Sequence, residues 1–178
     1  MKQILTLVFL VTTTLSISQN KINHKLENYM NAQFAINNFS GTVLVTKNGS
    51  VLLKKAYGLA DYEWNIKNTV DTKFQLASVT KQFTATAILQ LVEKGKLSLT
   101  DKLSKFFPDY PNADSVTIHM LLSHSSGLAL GFKELALSTI NADSAYSEIK
   151  KIPYEFTPGT KSAYSNIGYY LLGKIIEK

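Results

Sequence analysis

The 178-residue chain contains no cysteine, so it forms no disulfide, offers no thiolate to a metal and cannot carry a lipid on an N-terminal cysteine. It contains no arginine either: all 19 basic residues are lysine. Nucleic-acid readers rely on arginine for two-pronged contacts to bases and phosphates, and these lysines are scattered rather than striped. The net charge of +6 is therefore read as a solvated surface, and no nucleic-acid partner is expected. No apolar run approaches the roughly 20 residues that a membrane-spanning helix needs, so no span is expected. The histidines are His24, His119 and His124, without a His-Glu-x-x-His pair, and neither a metal nor a cofactor is expected. Gly-x-Ser-x-Gly is missing too, which argues against an α/β-hydrolase elbow.

What is present begins with Lys2, an apolar run from Ile4 to Val11 and small residues at Ser16 and Ser18. This reads as a secretory signal peptide over residues 1–18, which predicts export to the periplasm or medium and leaves 19–178 as the folded part. Ile22, Leu26, Tyr29, Met30 and Phe34 recur at helical spacing between Lys21 and Asn38. Gly41–Lys47 and Ser50–Tyr57 are β-rich runs joined by Asn48-Gly49, a strong signal for a tight hairpin. The polar stretch from Gly58 to Thr72 reads as turns, with the single tryptophan, Trp64, expected to pack. Short helices are expected before Phe107, over Val116–Leu122, Glu134–Leu137 and Asp143–Lys151, and over the apolar segment Ile167–Ile176.

Chemistry concentrates at Ser78 and Lys81. A serine and a lysine three residues apart share a helical face with Cβ atoms about 5–6 Å apart, and an amine there can help take the serine proton. The helix that follows, to about Lys94, is mostly apolar, which predicts burial on most sides and a desolvated lysine. The spacing alone is weak, because Ser18/Lys21 and Ser147/Lys150 share it. Tyr-x-Asn likewise occurs as Tyr29/Asn31, Tyr110/Asn112 and Tyr164/Asn166. Only the last follows a Pro-Gly turn and precedes an apolar segment, where a loop can push side chains into a cleft. A phenol beside an ammonium can relay protons, whereas a turn tyrosine and a helix-capping asparagine are the bland alternative. His124, in the tight turn Ser123–Leu128, is read as a structural hydrogen-bonder.

Ser78-x-x-Lys81 followed by Tyr164-x-Asn166 resembles the serine β-lactamase and penicillin-binding-protein superfamily, above all its class C-like branch. The hairpin, Leu76–Lys81, His119–Leu128 and Phe156–Asn166 look like that family in the same order. The resemblance implies an α+β fold of β-lactamase/transpeptidase type, with Ser78 as the acylated nucleophile and Lys81 assisting its deprotonation. It further implies Tyr164 as the proton shuttle and Asn166 as a contact for substrate and Lys81. The Ser78 backbone N–H would be one oxyanion donor. The substrate class implied is an amide, ester or β-lactam, including D-Ala-D-Ala-type peptides; the alternative is a non-catalytic sensor of peptidoglycan peptides or β-lactams. The family's third motif, Lys-Thr-Gly or His-x-Gly, has no match after Asn166. The chain therefore reads as an N-terminal portion of the fold, expected to be inactive and poorly stable by itself.

Overall fold

The computed structural model describes residues 22–131 and 142–178, in two compact units divided after Gln75. The signal-peptide reading, Ser18/Lys21 and the Glu134–Leu137 helix lie outside the described residues.

The first unit opens with helix α1, residues 22–35. It stops short of the Asn38 limit because Asn37 turns left-handed (φ 55°) and the Asn38 N–H reaches back to the Gln33 carbonyl at 3.0 Å. Strands β1 (Gly41–Lys47) and β2 (Ser50–Tyr57) pair antiparallel, closing at Lys47↔Ser50. Asn48 and Gly49 both take positive φ, 51° and 77°, the conformation that matches the right-handed twist of a two-residue hairpin. Leu53 and Tyr57 face inward on β2, and the Phe34 and Phe39 rings close on Tyr57 at centroid distances of 6.1 and 6.0 Å. Lys55 pairs with Glu27 and so ties β2 to α1.

The stretch from Gly58 to Thr72 corrects the sequence reading. It holds a second small hairpin, β3 (Leu59–Asp61) with β4 (Ile66–Lys67). Its turn is set by Asp61, whose carboxylate accepts the Trp64 N–H at 2.8 Å, and by Asn65 at φ 54°. Strands this short leave no alternating pattern to read. Trp64 does not pack: it rides on that turn and is 74% exposed.

In the second unit a 3₁₀ turn, Ala77–Thr80, runs into α2 (Lys81–Glu93). Leu103–Lys105 and Ala113–Ser115 are further 3₁₀ turns, followed by α3 (Ile118–Leu122), α4 (Ala142–Ile149) and α5 (Asn166–Glu177). The helix expected before Phe107 is thus a single tight turn. The Thr117 hydroxyl caps α3 by accepting the Met120 N–H. Ile88, Leu103, Ile118, Leu121, Ile149 and Leu171 form the centre of one apolar core, with α5 contributing its Ile167–Leu171–Ile175 stripe. Burial of α2 on most sides does not hold. Ile88 is its only fully buried residue, while Phe83 and Leu89 are 60% and 50% exposed. One face packs on α5, and no described element of the unit covers the other. With strands segregated from helices along the chain, the architecture is α+β, as the sequence indicated.

Candidate active site

Ser78 sits in the first turn of the helical run that α2 continues. The residue before it, Ala77, is left-handed at φ 46°, a region where a Cβ crowds the following carbonyl at a cost of about 1–2 kcal/mol. Such strain on a non-glycine residue is typical of positions that aim a functional group. The Ser78 N–H, in the first turn, has no partner within the turn and lies at the positive end of the helix dipole.

Lys81, one turn on, is half-buried. Its Nζ donates to Asn166 Oδ1 at 2.7 Å and to Ser78 Oγ at 3.4 Å. The same ammonium lies 4.7 Å from the Tyr164 ring centroid and 5.5 Å from that of Tyr169, both within cation–π range. Tyr164 Oη donates to Ser78 Oγ at 2.6 Å. Hydrogen bonding from Lys81, then that with Ser78, holds the Tyr164 hydroxyl below the ordinary tyrosine value against the opposing effect of burial. The four residues singled out from sequence are thus brought together, although Ser78 and Tyr164 are 86 positions apart. The lysine is held by contacts rather than by a buried helix.

Asn166 is free to meet Lys81 because it does not cap α5. Ser165 does: its hydroxyl accepts the Gly168 N–H at 3.1 Å and donates to the Ala129 carbonyl at 2.9 Å. Ser165 is 1% exposed, wedged between the two functional residues. A serine just before an apolar helical run is a cap signature, so this was open to reading in the sequence.

The repeated motifs separate cleanly. Tyr29 is an exposed residue of α1. Tyr110 is buried with its hydroxyl donating to the Ile149 carbonyl at 3.3 Å, burial pushes its ionisation up, and Asn112 is a left-handed turn residue. Ser147 is an exposed residue of α4, and Lys150 pairs with Asp109 at 2.6 Å.

The loop carrying Tyr164 is templated by the turn at residues 123–127. The Ser125 carbonyl accepts the Gly159 N–H at 2.8 Å, the His124 carbonyl accepts the Ala163 N–H at 2.9 Å, and Gly127 accepts from Glu155 at 2.8 Å. The loop approaches so closely that a Cβ on Gly127 would lie 2.1 Å from the Phe156 carbonyl oxygen, and its φ is +77°. Gly127→Ala is therefore expected to cost about 2–4 kcal/mol, combining a left-handed alanine with a backbone clash. Urea unfolding measures it, and a loss under about 1 kcal/mol would mean that the loop gives way readily.

The sequence and the fold both have relatives among known proteins. Residues 26–178 match the family model described as Beta-lactamase. PbpX of Bacillus subtilis is 36% identical over 154 residues, which cover 86% of this chain and 38% of that protein. A class C beta lactamase of known structure superposes with a TM-score of 0.76 at 31% identity, covering 89% of this chain and 44% of that one. The D-amino acid amidase of Ochrobactrum anthropi gives a TM-score of 0.63 at 30% identity, covering 76% and 38%. The chain thus spans well under half the length of these relatives.

Proposed function

We propose that this chain, which belongs to the Beta-lactamase family, carries the nucleophile end of an exported serine hydrolase that cleaves an amide, ester or β-lactam through an acyl-Ser78 intermediate. The observation that carries the reading is the 2.6 Å contact between Ser78 Oγ and a tyrosine hydroxyl whose ionisation an adjacent ammonium favours. In the phenolate form Tyr164 accepts the Ser78 proton as Oγ attacks the carbonyl carbon. Lys81 holds the phenolate charge, and Asn166 fixes Lys81 and offers its amide to the substrate. The negative charge developing on the carbonyl oxygen is met by the Ser78 N–H at the start of the helical run. Collapse expels the amine or alcohol, which takes its proton from Tyr164. Water then attacks the acyl-serine with Tyr164 again as base, and the acid product leaves.

Export rests on the leader-like residues 1–18, and the partner is a small molecule or short peptide. The relatives include a class C beta lactamase and a D-amino acid amidase, which supports the reading that the bond broken is an acyl bond in a compact substrate. The test is intact-mass spectrometry of the protein as its gene encodes it, with and without a penicillin-type reagent, followed by peptide mapping. An adduct on the peptide carrying Ser78 is expected, released on a timescale of turnover. An adduct that is never released points to a sensor. No adduct on a folded protein would overturn the reading.

A further inference from the structure

His124 is not among the residues that move protons in the proposed reaction, yet its side chain touches that machinery on three sides. Its Nδ1 accepts the N–H of Ser165, the single residue between Tyr164 and Asn166, at 3.2 Å. Its ring stacks on the Tyr164 ring at 4.6 Å (35° between planes) and on the Tyr169 ring at 5.1 Å (34°). Tyr169 is itself anchored, its hydroxyl donating to the Leu122 carbonyl at 3.1 Å. The imidazole is thus held between the anchored Tyr169 ring and the ring whose hydroxyl meets Ser78.

The backbone supports the same placement. His124 is left-handed at φ 57°, uncommon for a residue with a side chain and one that fixes the direction of its Cβ. Its own carbonyl accepts the Ala163 N–H, so residue 124 grips the loop on both sides of Tyr164. To accept from Ser165, Nδ1 must be bare and the ring proton must sit on Nε2. Burial, and then the Lys81 ammonium, lower the His124 ionisation from its ordinary value, so the neutral ring is the form present at neutral pH. The titratable groups of the described residues facing it are Lys81, Tyr164 and Tyr169; of these only Tyr164, as phenolate, would favour the imidazolium, and its charge is already met by Lys81.

We infer that His124 is a positioning residue, whose Nδ1 acceptor, aimed by a left-handed backbone, sets the register of Tyr164 and Asn166 against Ser78 and Lys81. The inference rests on the serine-hydrolase reading for its rate consequences, and on the Ser165 hydrogen bond for its geometry. Asparagine reproduces the two features that matter most: its Oδ1 stands close to where Nδ1 stands, and it tolerates the left-handed backbone. Alanine keeps neither, and glutamine places its oxygen too far out.

The experiment compares His124→Asn, His124→Ala and His124→Gln in the full-length protein. The readouts are acylation by a fluorescent penicillin and hydrogen exchange at the Ser165 amide. Displacements of about 1 Å in a catalytic group cost on the order of 100-fold, so Ala and Gln should fall about 100-fold in limiting acylation rate, with half-saturation little moved. Asn should stay within about fivefold of the parent, because it keeps the acceptor. The Ser165 amide should exchange slowly in the parent and in Asn, and quickly in Ala and Gln. If Ala fails to fold, the Asn–Gln comparison decides by itself. A folded Ala or Gln variant with parental acylation overturns the inference, as does an Asn variant as slow as Gln. A parent protein that is not acylated at all refutes the hydrolase reading instead. Slow exchange that follows the acceptor then still upholds the positioning contact, and exchange indifferent to it overturns that too.

Discussion

Lys81→Met is expected to slow acylation of Ser78 by at least about 10³-fold while leaving the protein folded, because the lysine is the hub on which the other three groups converge. Its ammonium meets Asn166 Oδ1 at 2.7 Å and Ser78 Oγ at 3.4 Å, and lies over the Tyr164 ring at 4.7 Å. Methionine keeps the length and the apolar stem but no donor. The phenolate then loses its neighbouring cation, Asn166 loses its partner, and Ser78 is left with a tyrosine that prefers to be neutral. Thermal unfolding separates this from collapse, since the lysine is half-buried and its loss opens no core cavity. Acylation within about tenfold of the parent would remove Lys81 from the machinery and leave it a surface charge.

Tyr164→Phe is the second large effect, about 10²- to 10⁴-fold in acylation, the range that a positioned acid–base group contributes. It carries a pH signature as well. The Lys81 contact lowers the Tyr164 ionisation below the usual value of 10. In the proposed reaction the phenolate is the working base, so acylation should rise with pH and level off at a pH below 10 in the parent. As pH falls through that same point the phenolate is protonated and the rate falls with it. Phenylalanine cannot titrate, so its residual rate should lack this bend. A Tyr164→Phe variant that kept the parental profile would assign the ionisation to another group. Because Tyr164 is 44% exposed, its ionisation bears on rate and carries little weight for stability.

The reading of sequence succeeded where one short stretch carries its own geometry. Asn48-Gly49 needs positive φ at both positions and finds it, so β1 and β2 follow. The Pro-Gly context separated Tyr164 from Tyr29 and Tyr110, and the last two prove to be a surface residue and a core hydrogen-bonder. It failed where the outcome depends on distant neighbours. The apolar composition of α2 records what its residues prefer, not which faces of the helix meet a partner. Phe83 and Leu89 therefore remain exposed while Ile88 does not. The β3–β4 hairpin went unseen for a different reason: with three residues in one strand and two in the other, the turn at Asp61 and Asn65 supplies most of its definition. The Asn166–Lys81 contact hinged on one local choice, whether Ser165 or Asn166 caps α5.

That choice has a practical side for anyone who would transplant the Tyr-x-Asn pair onto another scaffold. The middle position is usually written as free, but here it is the pin on which the loop is mounted: its hydroxyl starts α5 and its amide is clasped by His124. A graft that copied only the two outer side chains would deliver a tyrosine and an asparagine with nothing to aim them. The portable unit is Tyr-Ser-Asn together with the histidine turn that receives it.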